Sequence, residues 1–531
     1  AEHGAKLDTP DADGATPMHS AAEGGDTSAL ALLRERGCVV DVADSDGATP
    51  VHKAAGAGKV SALEWLAEAG CRLDVRDDDG ASPVHSAAGA GEVAALTLLA
   101  SHGCDLDAED NIRATPFHKA ALRGHVDAMA WLLSRGVRLD AVAANGATAL
   151  NFAAVGGQLA ALSWLHEQGA ASAPTHLGWT PVHSAAAGGK IEALKWLKEH
   201  GYALDAADHN GVTPLHSAAE AGQVASFEFL AENGIGATVA DNDGVTPVHF
   251  ASFGGHVAAL EWLASHKAPL HEPDRDGVTP LHSAAGGGQL ASLEWLIAHG
   301  GDVRVAESNG STLFHFAAFE GQLATLRWLK TQNLDVNITD NQGRTALHSA
   351  AAGGQVQAME WLYKHGCRPS PDSNSASPAF PAAAAGHVPA LAWLEEHGCP
   401  VSDVDCRSVS LMHMAAGGGQ VESMAWLLSR GCSVEAADAH GATPAHFAAF
   451  GGHVEVLAWL EPRASLQTPA AGGRTPLHSA AKGGHVAAIE WLASRVDINT
   501  RDTQGITALG VARANGNTAA TSYLETHEAV E

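Results

Sequence analysis

Residues 279–310, TPLHSAAGGGQLASLEWLIAHGGDVRVAESNG, decide the fold. Thr279 is a helix N-cap type, and Pro280 follows at the first helical position, where a missing N–H costs nothing. His282 to Ala285 complete a short first helix, which the glycines at 286–288 break. A second helix is predicted from about Gln289 to Ala298, ended by Gly300 in the left-handed region. Ser308, Asn309 and Gly310 mark a tight turn before the next leading residue, Thr312. Two antiparallel helices and a turn are too small to fold alone.

The same unit recurs along the chain. Its leading Thr or Ser stands at 16, 49, 82, 115, 148, 180, 213, 246, 279, 312, 345, 377, 410, 443, 475 and 507, so all fifteen intervals are 32 or 33 residues. Such a period is the mark of a solenoid, in which each repeat buries its faces only against its neighbours. Thr-Pro-Leu-His-Ser-Ala-Ala at this spacing resembles the ankyrin repeat, over nearly the whole of the 531 residues. The tetratricopeptide pattern, the nearest helical competitor, lacks the Thr-Pro-x-His signature. The expected fold is an all-α solenoid of sixteen helix-turn-helix repeats with short turn or hairpin tips.

The expected organisation runs as follows. Residues 1–14 match the tail of a preceding repeat closed by Gly4, residues 15–367 hold repeats one to eleven, and residues 409–506 hold repeats thirteen to fifteen. In between, 368–408 form an irregular twelfth repeat, where Ser377-Pro-Ala-Phe-Pro381 follows a Ser/Pro-rich lead and Pro381 is expected to break the first helix into a kink or hinge. Residues 507–531 read as a C-terminal capping repeat, with Gly510 in place of the motif His, polar Arg513, Asn515 and Asn517, inward Tyr523 and Leu524, and a charged tail. The opening fragment has no polar cap, so its end is expected to be covered by residues further upstream or by another subunit.

With 31 basic and 60 acidic residues the net charge is −29, which disfavours nucleic acid and anionic membrane surfaces as partners. No apolar run has the length of a membrane span. Six of seven cysteines (Cys38, Cys71, Cys104, Cys367, Cys399, Cys432) share one repeat position, where neighbouring repeats would hold them about 10 Å apart, beyond disulfide reach. Reduced thiols imply an intracellular, reducing compartment, the cytoplasm or an organelle.

No phosphate-binding loop, nucleophile elbow, H-E-x-x-H or paired C-x-x-C occurs, so nothing in the sequence supports an enzyme, a cofactor or a metal. Thirteen histidines (His19, His52, His85, His118, His183, His216, His249, His282, His315, His348, His413, His446, His478) belong to the Thr-Pro-x-His motif. The resemblance implies that each ring bonds to the motif Thr and to backbone. Spaced about 10 Å apart, they cannot share an ion that needs ligands at about 2 Å. Twelve repeats carry Trp before Leu in helix two, as at Trp65, Trp196 and Trp295, and these rings are expected to pack in the core.

The resemblance implies partner proteins held at turn tips and along the outward side of the first helices, which line a concave groove. Most repeats place Ser and small residues there, but three read HFA[AS]F, setting Phe250 with Phe253, Phe316 with Phe319, and Phe447 with Phe450 on one helix face. Phe152 and Trp179 extend this apolar set, and Lys53, Lys119 and Arg123 form a cationic set on the same side. Two readings of the rings stay open: contact residues for a partner, since aromatics dominate interface hot spots, or packing against adjacent first helices. Three functions follow: a non-catalytic scaffold binding one or more proteins, a permanent linker subunit of a large assembly, or the ankyrin portion of a larger enzyme or channel.

Overall fold

A computed structural model describes residues 7–527. Gly4 and the last residues of the charged tail, 528–531, lie outside the described residues. The chain divides into two compact units, Ala1–Pro269 with repeats one to eight and Leu270–Glu531 with repeats nine to sixteen. Each repeat contributes two helices, as in repeat nine, where the first spans Pro280–Gly286 and the second Leu290–Ala298. Among the described residues there is no strand; isolated bridges such as Thr339 with Thr345 occur at turn bases.

In thirteen repeats the leading Thr or Ser and the histidine three residues on close the first helix at its start. In repeat nine the Thr279 backbone N–H donates to His282 Nδ1 at 3.1 Å, and the Thr279 hydroxyl lies 3.0 Å from the same nitrogen. An Nδ1 that accepts leaves the proton on Nε2, which then donates to a carbonyl near the next motif. Thus His19 reaches Ala48 at 3.0 Å, His183 reaches Val212 at 3.0 Å and His413 reaches Ala442 at 3.0 Å. Repeat five has Asn151 instead: its Oδ1 accepts from Thr148, but its buried Nδ2 has no partner. The turn tips add a second link, for example Asn111 N–H to the Asp79 carbonyl and Asn341 N–H to the Asn309 carbonyl.

Within each unit first helices pack on first helices, and several of them approach closest at a glycine eight residues after the leading Thr or Ser, a position that holds Ala57, Ala90 and Ala221 in other repeats. A Cβ at Gly254 would stand 2.6 Å from the Glu220 carbonyl oxygen, and one at Gly188 2.6 Å from that of Val155. At Gly353 and Gly418 the clash would be with the carbonyls of Phe319 and Ala384. These glycines let backbones approach, and a second glycine after each makes the left-handed turn that follows, as at Gly354 (φ 70°).

Repeat twelve departs from the expected break. Its first helix spans Ala379–Ala385 and packs on the first helices of repeats eleven and thirteen. Pro381 is the third residue of that helix, inside the first turn, where no N–H is needed, so the cost of an interior proline does not arise.

The tryptophans also differ from expectation. Trp262 and Trp393 are 9% and 8% exposed, but the others, including Trp65, Trp196 and Trp295, are half-buried. Leu293 and Leu296 fill the core face of their helix, and Trp295 lies about 200° around from Leu293, on the outer side. The next turn supplies a cover: His200, His266 and His365 stack on Trp196, Trp262 and Trp361 at 3.8, 3.8 and 4.1 Å between ring centres. Arginines do the same elsewhere, Arg463 over Trp459 at 4.4 Å and Arg495 over Trp491 at 3.9 Å. Tyr523 takes the tryptophan position in repeat sixteen and stacks on His527 at 4.1 Å, half-buried rather than inward, while Leu524 is fully buried.

Candidate interaction surface

Apart from Trp179 and Arg123, which stands eight residues after Thr115, the expected contact residues sit at two positions of the first helix, four and seven residues after the leading Thr or Ser. At the earlier position the rings are half-buried and lie against the motif histidine of the preceding repeat. Phe152 meets His118 at 4.9 Å, Phe250 meets His216 at 5.3 Å, Phe316 meets His282 at 4.8 Å and Phe447 meets His413 at 5.0 Å. These contacts shield the histidine lock described above. At the later position the rings are open: Phe253 is 49% exposed, Phe319 47% and Phe450 52%. Each pair therefore combines a seated ring and a free one, and Lys482 lies over the Phe450 ring at 5.8 Å. Phe253 belongs to the first unit and Phe319 and Phe450 to the second, where three repeats separate the latter two.

Trp179 stands at a turn tip rather than on a helix. Its ring stacks on His183 at 5.8 Å and its indole N–H donates to Asp208 at 3.2 Å. The cationic residues divide in the same way. Lys53 is paired with Asp44 and Lys119 with Asp110, each at 2.8 Å, and both carboxylates are nearly buried. Burial alone would raise the Asp44 and Asp110 pKa, but the lysine hydrogen bonds and the turn N–H groups outweigh it and hold both carboxyls below the ordinary range; the Asp44 contact raises the Lys53 pKa in turn. These two lysines are committed to the fold, whereas Arg123 is exposed.

Sequence reasoning passed over Leu122, which occupies the same position as Phe253, and Met414, which occupies that of Phe250. Counting seven and four residues from Thr115 and Ser410 would have found both.

Among the described residues no group of three His, Cys, Asp or Glu side chains is placed to hold a metal ion, and the cysteines are free. Burial raises the Cys71 and Cys399 thiols to about 11, so they are inert at neutral pH. No helix among the described residues is long and apolar enough to cross a membrane.

Comparison of the sequence with curated proteins gave no match. A family model for ankyrin repeats in three copies matches residues 1–77, 18–110, 62–143, 85–173, 150–243, 233–307, 287–373 and 314–408. A second, for ankyrin repeats in many copies, matches residues 412–461 and 477–525. Those matches cover most of the chain and agree with its stacked helix pairs and motif locks: the protein belongs to the ankyrin-repeat family.

Proposed function

We propose that the chain is a non-catalytic scaffold that holds one or more partner proteins against its first helices and turn tips. Ankyrin repeats are general protein–protein interaction modules and typically non-catalytic, which supports the class. The observation that carries the reading for this chain is the trio Phe253, Phe319 and Phe450, about half exposed on helices whose other outward positions are mostly small or polar. Each follows a second ring three residues earlier on the same helix face, and clustered aromatics dominate interface hot spots. The free thiols fit a reducing compartment.

The experiment is affinity capture from the source lysate with the wild-type chain and with a variant carrying Phe253→Ala, Phe319→Ala and Phe450→Ala. Recovery of a defined protein by the wild type and its loss with the variant supports the reading. Equal recovery by both sinks it and assigns the rings to packing.

A further inference from the structure

The first-helix face of the first unit is uneven in charge. At the two outward positions, repeat one carries Glu23 and repeat seven Glu220, whereas repeats two to six carry no acid. Repeat four instead presents Leu122 and exposed Arg123, and Arg123 has no ion-pair partner among the described residues. Lys119, beside it, is neutralised by Asp110. A cavity of about 550 Å³ opens between the first helices of repeats three and four, with Lys119, Leu122 and Arg123 on its wall.

Beyond it, Phe152 and Val155 in repeat five are half-buried and continue the apolar strip. Lys190 of repeat six lies back across Gly157, a side-chain carbon 2.8 Å from where a Cβ would stand, and it too has no ion pair among the described residues. Two acids stand on this edge: Asp26 in repeat one, and Glu92, which lies over Gly58 on the far side of repeat three. Two unpaired cations therefore flank an apolar strip, within a chain whose net charge is −29.

We propose that the surface from Arg123 to Lys190 binds an acidic peptide segment carrying an apolar anchor. Carboxylates would meet Arg123 and Lys190, and the anchor would cover Leu122, Phe152 and Val155. Repeats four and six are about 20 Å apart at helix-layer spacing, which about six extended residues span. Charge complementarity favours a short peptide over nucleic acid, because two local cations cannot offset the repulsion of a polyanion by the rest of the chain. This assignment rests on the reading that first helices hold partners, and names the partner's chemistry for one segment.

The test is a fluorescence-anisotropy titration of the full chain with labelled Glu-Glu-Gly-Leu-Phe-Gly-Glu-Glu, its Glu-to-Lys counterpart and a short oligothymidylate. The acidic probe is expected to bind at least roughly tenfold more tightly than either, and less tightly as salt rises. Arg123→Glu with Lys190→Glu should weaken it by roughly tenfold or more, with Arg123→Ala giving a smaller loss. Circular dichroism melting of each variant checks that the fold is kept, and all substitutions lie on exposed or half-exposed side chains. Arg36→Glu, an exposed cation at the end of the second helix of repeat one, should leave the titration unchanged. Equal binding of the lysine probe or the oligonucleotide, or undiminished binding by the charge-reversed variant, overturns the assignment. Equal loss with Arg36→Glu overturns it too, while leaving the scaffold reading standing; failure of lysate capture through the phenylalanines leaves this titration fully readable.

Discussion

The imidazole of His200 lies 3.8 Å from the indole of Trp196, stacked at 18°, and its Nδ1–H donates to the Trp196 carbonyl at 2.8 Å. One side chain thus covers an aromatic face that the core cannot take and gives the Trp196 carbonyl, which the His200 backbone N–H also reaches at 3.1 Å, a second donor in the last turn of the helix. The arrangement recurs at Trp295 with His299 and Trp393 with His397. His200→Ala is expected to destabilise repeat six by about 1 kcal/mol, from one hydrogen bond and one ring contact. His200→Arg should restore most of that, because Arg135 and Arg430 cover Trp131 and Trp426 in the same way. Urea midpoints of the three chains decide it: an unchanged midpoint for the alanine variant means the stack contributes nothing.

Gly353→Ala tests the close approach of first helices. Gly353 has ordinary helical dihedrals, φ −84° and ψ −2°, where alanine normally stabilises. Here the new Cβ would meet the Phe319 carbonyl, a backbone atom that cannot swing aside. The expected effect is a loss of about 2 kcal/mol. Gly24 closes the first helix of repeat one with nothing within 4 Å of its Cβ position, so Gly24→Ala should be neutral or slightly stabilising. Hydrogen exchange of amides in each first helix reads the two effects locally, since repeat stability is carried by nearest neighbours. Equal protection in both variants would exclude the carbonyl clash.

Much of the fold was legible because the signals are local. Thr279-Pro280 and His282 lie within one helical turn, so the cap reads from four residues, and the predicted second helix from Gln289 differs from Leu290–Ala298 by one residue. What escaped depends on where an element begins or on contacts outside that window. Pro381 is harmless only because its helix starts at Ala379, and no residue type announces that start. Lys53 and Lys119 read as free cations because their partners, Asp44 and Asp110, lie nine residues upstream across a turn. Phe250 and Phe253 look equivalent by spacing, yet one is seated on His216 from the repeat before, a contact that sequence periodicity does not encode. The tryptophan cover was present as Trp-x-x-x-His or Arg, and a count at i, i+4 would have found it.

Asn151 marks a missing lock in the first unit. Its Nδ2 is buried without a partner, whereas the Nε2 of a motif histidine reaches into the following repeat. The matching carbonyl is that of Trp179, which accepts from Thr175 N–H just as the Ala48 carbonyl accepts from Asp44 N–H while also receiving His19. Asn151→His is therefore expected to stabilise the junction of repeats five and six by about 1 kcal/mol. A raised urea midpoint, with slower exchange of amides in repeat six, is the expected result. A lowered midpoint would mean that the turn, one residue short before Trp179, holds the carbonyl out of reach.

Acid should loosen the array through the same histidines. Burial pushes the pKa of His118, His216 and His348 down to about 4, and the carbonyl bonds only partly oppose it. His52, His85, His183, His315, His413, His446 and His478 are lowered for the same first reason. A ring whose folded pKa lies below its unfolded value of about 6.5 binds fewer protons folded than unfolded between those limits, so stability rises with pH across that window. It is full above about pH 6.5 and is lost progressively toward pH 4 for the three most shifted rings. The depressed carboxyls of Asp44, Asp110 and Asp340 change protonation below the ordinary aspartate range and leave this window alone. Urea unfolding at pH 7.5, 6.0 and 5.0 should give a falling midpoint, and His216→Gln should flatten part of the slope while lowering the midpoint at pH 7.5. A midpoint independent of pH down to 5.0 would show that the rings are protonated without cost, contrary to an Nδ1 that must accept the Thr N–H.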